Sequence, residues 1–386
     1  MKKSNLILVV ILLMLMGCGG DKSATDNLVT VDVTANYPKK ELILQDFMDV
    51  EYIPLGTTDE FLTRGKVMDV GKDIVLVANA REGDILIFDR TTGQGVKKIN
   101  HRGQGSEEYL LLINLILDEA NDEMFANDGP SSRIQVYDLL GNFKRSIPYK
   151  KGAFVSNIYN YDKDYLLCQD TYAPDNTGSV NTFFLISKQD GGMKDIEIPF
   201  EKKISTVIVE KVGDMVYGNG PRNSLIVPFQ NNWIVTEPSS DTVYMNQPDN
   251  SLRPFMVRTP SVHTMEPEVF LFPGVLTDHY YFMQTVKKEY DFAADEGLPT
   301  TDLLYDRQEK KIYKYTVYNN DFSERTEDMS LRSINNETTF YAILEANALV
   351  EAYEKGKLKG KLKEIAAKLD EEDNPVIMLI KHKSPF

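Results

Sequence analysis

"ILIFDRTTG", residues 85–93, returns in altered form as "IQVYDLLG" (134–141) and again as "FFLISKQDGG" (183–192). The first residues of the three stretches, 85, 134 and 183, are separated by steps of 49 (134 − 85 and 183 − 134). Each copy is an apolar run, a polar residue at its end, then a turn containing glycine. The aligned run-end positions are Asp89, Asp138 and Ser187. Looser copies end at Asn246 in "TVYMN", Asp306 in "LLYD" and Lys381 in "VIMLIK". Six units result.

Between these copies the chain is a succession of short β-like runs, such as "DIVLVAN", "RIQVYD", "NWIVTE" and "KIYKY". They are rich in Val, Ile, Leu, Phe and Tyr and are divided by Gly, Asn, Asp and Pro clusters. A period near 50 residues fits a four-stranded propeller blade. One blade cannot bury both of its faces, whereas a closed ring gives each blade two neighbours. The sequence therefore predicts an all-β, six-bladed β-propeller with four-stranded blades. Its ends must be sealed against fraying. "VEYIPLG" (50–56) stands before the first full unit and "VIMLIKHK" (376–383) closes the last, so the two are expected to share a blade. A two-sheet sandwich or a two-domain chain is the competing architecture.

The segment 338–370, "TTFYAILEANALVEAYEKGKLKGKLKEIAAKLD", is expected to be a helical insertion in the last blade. Leu358, Leu362, Ile365 and Leu369 recur at helical spacing, and Gly356 and Gly360 mark a break between two helices. Five lysines, from Lys355 to Lys363 at alternate positions, read as a solvated face.

The N-terminus reads as a targeting segment. Lys2 and Lys3 precede an apolar run over residues 6–16, too short to span a bilayer. The run ends in "LMGC", Leu15-Met16-Gly17-Cys18, which resembles the lipobox of bacterial lipoproteins. The resemblance implies a Sec signal peptide over 1–17 and a lipidated Cys18. Multiple acyl chains would hold firmly, at about 0.8 kcal/mol per buried methylene. A polar tether is expected over 18–40 and the propeller over 41–386. Removing residues 1–17 leaves 58 acidic against 41 basic residues (43 − 2), a net charge of −17. Such an acidic chain is a poor match for nucleic acid, which demands a dense basic surface.

"HRGQGSEEY" (101–109) leads into "LLINLILDEANDEMFANDGPSSRIQVYDLLGNF". This resembles an NHL-type propeller repeat. Together with the lipobox, "VEYIPLGTT" and the late "EEDNPVIMLIK", the chain resembles the six-bladed NHL-like or TolB-like propeller lipoproteins of the Bacteroidota. That resemblance implies an outer-membrane lipoprotein in the cell envelope. It assigns no chemistry.

Candidate chemistry is sparse. "GQG" lacks the Lys-Ser/Thr of a Walker loop and the strand-to-helix setting of a dinucleotide fingerprint. Its glycines fit a tight turn at a blade entrance. His101, Arg102, Glu108 and Tyr109 are the loop's candidate ligand-binding residues, Arg102 for its forked donors. Tyr280 and Tyr281, in "HYYF", are candidates for stacking on a sugar. His101, His263, His279 and His382 show no zinc spacing, so no metal site is assigned. "DEANDE" (118–123) lacks the EF-hand glycine and reads as a hairpin turn. No nucleophile elbow is present, so no catalytic residue is assigned. Cys168 and Trp233 sit in apolar runs and read as core.

The expected function is a lipid-anchored binding or scaffold module for a glycan, peptide or envelope protein, with no cofactor. The alternative is a hydrolase or lyase working in the central funnel, with calcium held by channel carboxylates.

Overall fold

The computed structural model describes residues 28–149, 155–170, 182–330, 334–335 and 338–383, with only the backbone of residue 339. The expected signal peptide, Cys18 and the first part of the expected tether lie outside the described residues.

The chain forms a six-bladed β-propeller. Blade 1 is the antiparallel meander Lys66–Val70, Ile74–Asn79, Asp84–Asp89 and Gly95–Asn100. Blade 2 is Leu112–Asp118, Glu123–Asp128, Arg133–Tyr137 and Phe143–Pro148. Blade 3 is Val155–Asn160, Tyr165–Asp170, Phe183–Ser187 and Met193–Ile196. Blade 4 is Ile226–Phe229, Asn232–Val235, Thr242–Asn246 and Leu252–Thr259. Blade 5 is Val269–Leu276, Tyr280–Lys287, Thr300–Asp306 and Lys311–Tyr318. Blade 6 combines Thr338–Leu344 and Val376–His382 with the N-terminal strand Met48–Pro54.

The repeat seen in the sequence is the third strand of each of the first five blades. Its turn carries a glycine at positive φ in the first three blades, and Asn250 and Lys310 hold the same place in blades 4 and 5. Gly93, Gly141 and Gly191 have φ of 72°, 91° and 76°. The N–H of each donates back to the carbonyl of Asp89, Asp138 or Ser187 at 2.8 to 3.0 Å. Glycine adopts this left-handed conformation without the Cβ penalty that other residues bear there, which favours the glycine that recurs with the strand in the first three blades.

The core is itself circular. Strand alternation sends successive side chains to opposite faces of a blade. Leu76 and Ala78 pack toward blade 2 with Leu115 and Tyr137, while Val75 and Val77 pack toward blade 6 with Ile377 and Leu379. The seam of blades 2 and 3 holds Phe125, Ile134, Cys168 and Phe184, and that of blades 3 and 4 holds Tyr159, Leu185 and Trp233. Blades 4 and 5 meet at Phe229, Met256, Tyr281 and Met283, and blades 5 and 6 at Phe282, Leu304, Phe340 and Met378. Each blade thus buries both faces, as ring closure requires.

Two features depart from the sequence reading. The tether expected to reach residue 40 ends earlier. Val29–Asp32 pairs in parallel with the outer strand of blade 4, and Lys39–Ile43 in parallel with that of blade 5. The alternation of Val29 and Val31, at 5% and 0% exposure against an exposed Thr30, explains the first of these strands. The N-terminal segment therefore staples blades 4, 5 and 6 in turn. The second departure is at residue 338. Thr338–Leu344 is a strand, and the helices are Ala346–Glu354 and Gly360–Ala366. "TTFYAIL" is rich in β-branched and aromatic residues, which suit a pleated surface. Gly356 and Gly360, both at positive φ, separate the helices. Leu349, Leu358 and Leu362 bury against blade 6. Among the described residues, no helix is long and apolar enough to cross a membrane.

Candidate functional site

The Gly-rich loop between blades 1 and 2 is held from within. Tyr109 is fully buried, and its hydroxyl donates to Gly83 O at 2.7 Å and accepts from His101 N at 3.2 Å. His101 stacks on Tyr137 with centroids 4.8 Å apart and donates from Nε2 to Gly141 O at 2.8 Å. Arg102 donates to Arg81 O. Glu108 Oε2 accepts from Gly105 N at 2.7 Å. A Cβ at Gly103 would stand 1.9 Å from that carboxylate, so the turn needs glycine for close approach. From blade 2, Arg133 Nη2 and Gln135 Nε2 each donate to Glu108 O at 2.8 Å, and Tyr137 Oη donates to Glu107 O at 2.6 Å. His101, Tyr109 and one Arg102 donor thus tie the loop to its two blades, the Glu108 carboxylate bonds within it, and Arg102 stays exposed.

Tyr280 and Tyr281 diverge, as neighbours on a strand must. Tyr280 packs edge-on to Phe47 at 5.4 Å in the seam of blades 5 and 6. Tyr281 turns into the seam of blades 4 and 5, where a cavity of about 650 Å³ opens beside it. The six residues nominated by sequence thus fall in three places.

A different set surrounds the propeller axis. A cavity of about 520 Å³ is lined by the first strands of blades 1, 2 and 3 and by Phe340 and Tyr341 of blade 6. Its polar lining comprises Lys66, Asp69, Lys72, Asn114, Glu119, Asn160 and Asn335. Lys66, Asp69, Asn114 and Asn160 come from the inner strands, whereas Lys72 and Glu119 come from the turns that follow them and Asn335 from the segment before Thr338–Leu344. Several are fixed by the seams. Asp69 accepts from Leu117 N at 2.9 Å, tying blade 1 to blade 2. Asn335 Nδ2 donates to Val70 O at 2.8 Å. Asn160 Oδ1 accepts from Lys188 Nζ at 2.6 Å, and Lys188 also pairs with Asp118 at 2.7 Å, each of that pair only 6% exposed. Glu119 accepts from the backbone N–H groups of Lys72 and Asp73 at 2.6 and 3.0 Å.

Charges of both signs and three side-chain amides give this cavity a mixed hydrogen-bonding wall with little net field. Such a wall suits a ligand with many neutral donors and acceptors. Among the described residues, no three His, Cys, Asp or Glu side chains gather as a cation-binding group. Sequence reasoning missed the axial set. The signal was present at Asn114, which interrupts the apolar run "LLINLIL" in a strand whose other residues are core.

A family model described as "Domain of unknown function (DUF4934)" matches residues 28–381. Among curated proteins none matches. Among solved structures, a candidate exported protein of Bacteroides fragilis aligns with a TM-score of 0.62 at 15% identity, over 93% of this chain and 99% of its own. A DUF4221-family member from Bacteroides vulgatus aligns with a TM-score of 0.48 at 10% identity, over 88% of this chain and 100% of its own. Virginiamycin B lyase from Staphylococcus aureus aligns with a TM-score of 0.41 at 11% identity, over 87% and 100%.

Proposed function

We propose a binding role for this chain, which belongs to the DUF4934 family: a lipid-anchored, extracytoplasmic propeller that takes an uncharged glycan into its axial cavity. The observation that carries the reading is the cavity wall itself. Asn114 presents its amide to the cavity, and Asn160 and Asn335, whose amides are tied into the seams, add their remaining hydrogen-bonding capacity toward hydroxyl groups. Tyr341 brings an aromatic ring to the same space, and a sugar's apolar face stacks on such a ring. The volume lies in the range of small-molecule sites. A rigid ring with both faces of every blade buried keeps these groups in place without a cost of ordering on binding.

The envelope location is supported by the charged start, the short apolar run and "LMGC" ending at Cys18. Lipidation there would leave the acidic propeller outside the cytoplasm.

Calorimetric titration of the full chain with a panel of neutral oligosaccharides tests the binding reading. One or more members should bind, and Tyr341→Ala should weaken that binding by at least about tenfold. Equal binding by both proteins would remove the axial cavity from consideration. Labelled palmitate should enter the wild-type chain and not Cys18→Ser. Equal labelling would end the anchoring proposal.

A further inference from the structure

We infer that the cleft between blades 4 and 5 is a second binding site, for a phosphate-type anion carried on an apolar body. It is separate from the axial cavity and shares no lining residue with it.

The cleft holds about 650 Å³. Arg253 reaches it from the outer strand of blade 4, and Arg307 and Lys310 from the turn joining the last two strands of blade 5. On a chain of net charge −15, three of the less exposed arginines carry carboxylate partners: Arg90 with Glu51, Arg145 with Glu123, Arg258 with Asp241. Arg253, Arg307 and Lys310 have none within 4.0 Å among the described residues. The charge that does face them is Asp278, whose Oδ1 is occupied by Gln230 Nε2 at 2.6 Å. Three cations against one anion leave the cleft with an excess of two positive charges.

Arg307 is set in advance. Its Nη1 donates to Asp278 O at 2.6 Å, its backbone N–H to His279 O at 3.0 Å, and its guanidinium lies 5.1 Å from the Tyr281 ring centroid. The remaining guanidinium donors stay available for a forked contact with an oxyanion. The floor is aromatic. Tyr281 packs against Phe255 at 5.1 Å and Tyr305 at 6.1 Å. Cations at the rim and rings beneath them match an amphipathic anion, with its charged head at Arg253 and Arg307 and its apolar part on the rings.

The chain enters the described structure at this place, because Leu28 lines the cleft. Nine residues, 19–27, lie between it and Cys18, so the ten Cα-to-Cα steps reach at most roughly 35 Å. A phospholipid headgroup beside the anchor and a soluble phosphate ester share the chemistry the cleft reads. The lipid source, unlike the cleft itself, rests on the anchoring proposal.

The test uses the full chain extracted in non-ionic detergent, with phenyl phosphate, an anion on an apolar ring, as the soluble probe. Nanodiscs of phosphatidylcholine, with or without phosphatidylglycerol, supply the lipid arm. Arg253→Ala/Arg307→Ala is the variant. Both side chains are exposed, and an unchanged melting temperature certifies its fold. Calorimetric binding of phenyl phosphate that falls at least about tenfold in the variant supports the site with a soluble ligand. Protection of the Tyr305 region from hydrogen exchange only in phosphatidylglycerol discs, lost in the variant, supports it with a lipid ligand. Wild type and variant behaving alike in both arms would overturn it. Oligosaccharide titration of the same variant separates the two sites, since axial binding should be untouched.

Discussion

Tyr52 and Met378 are register partners in an antiparallel ladder that runs from Pro54 opposite Val376 to Met48 opposite His382. The Tyr52 hydroxyl also donates to Asp321 Oδ2 at 2.8 Å, reaching the segment that leaves blade 5. One N-terminal strand therefore closes the ring and anchors its neighbour. Proline at Met378 would remove a donor from a strand paired on both sides. It should destabilise the chain by at least about 1–3 kcal/mol, the cost of the buried carbonyl left unpaired, read as a lowered urea midpoint. A wild-type midpoint would show that the ring does not depend on this ladder.

Lys188 and Asp118 form a pair buried between blades 2 and 3, with Asn160 as a third partner. Lys188→Ala strands the carboxylate and should cost about 3–5 kcal/mol. Lys188→Met combined with Asp118→Leu removes both charges and should cost clearly less. Chemical denaturation of the three proteins decides it; a double variant as unstable as the single one would mean that packing, not the charge, sets the cost.

Gly93 and Gly213 both have positive φ, 72° and 63°, but stand in different surroundings. A Cβ at Gly93 would lie 1.9 Å from Pro54 O, whereas nothing lies within 4 Å of one at Gly213. Gly213→Ala should cost about 1 kcal/mol of backbone strain. Gly93→Ala should cost several times more, because the turn must also part from blade 6. Similar melting temperatures for the two variants would contradict this.

Glu51, Glu123 and Glu237 share an electrostatic pattern. Burial raises the pKa of each, but cationic partners outweigh it: Arg90 and Lys381 at Glu51, Arg145 and Lys144 at Glu123, Lys203 at Glu237. All three end below the ordinary value of 4.5. A carboxylate depressed on folding contributes stability above its unfolded pKa, and that stability is lost as pH falls through the folded one. Stability should therefore fall as pH drops below about 4.5, and Glu237→Gln should flatten that fall. A denaturation profile with the same slope for both proteins would refute the assignment.

Cys168 is fully buried in the seam of blades 2 and 3, and burial pushes its thiol well above the ordinary range. Thiol reagents should leave it unmodified in the native chain and react promptly in denaturant. Reaction at equal rates in both would mean that the seam opens readily.

Much of the fold was legible before any coordinates, and particular residues show why. The glycines at 93, 141 and 191 repeat because a local backbone conformation demands them, and local demands are written locally. The split between helices at Gly356 and Gly360 is of the same kind. The strand Val29–Asp32 was legible in its alternation, yet its partner was not, since a parallel pairing with Met256–Thr259 leaves no turn to announce it.

The sequence by itself determined the blade module, its number of copies and the meeting of the two ends, because strand period, turn chemistry and the need to bury both faces are properties of the chain. Tertiary structure alone decided the sites. Asn114, Asn160 and Asn335 meet only where three blades and the closing segment converge on the axis, and Arg253 meets Arg307 only across a seam. The Gly-rich loop, conspicuous in the sequence, is spent on joining blades. The side chains of both cavities are gathered by ring closure from distant strands, and no local pattern records that gathering.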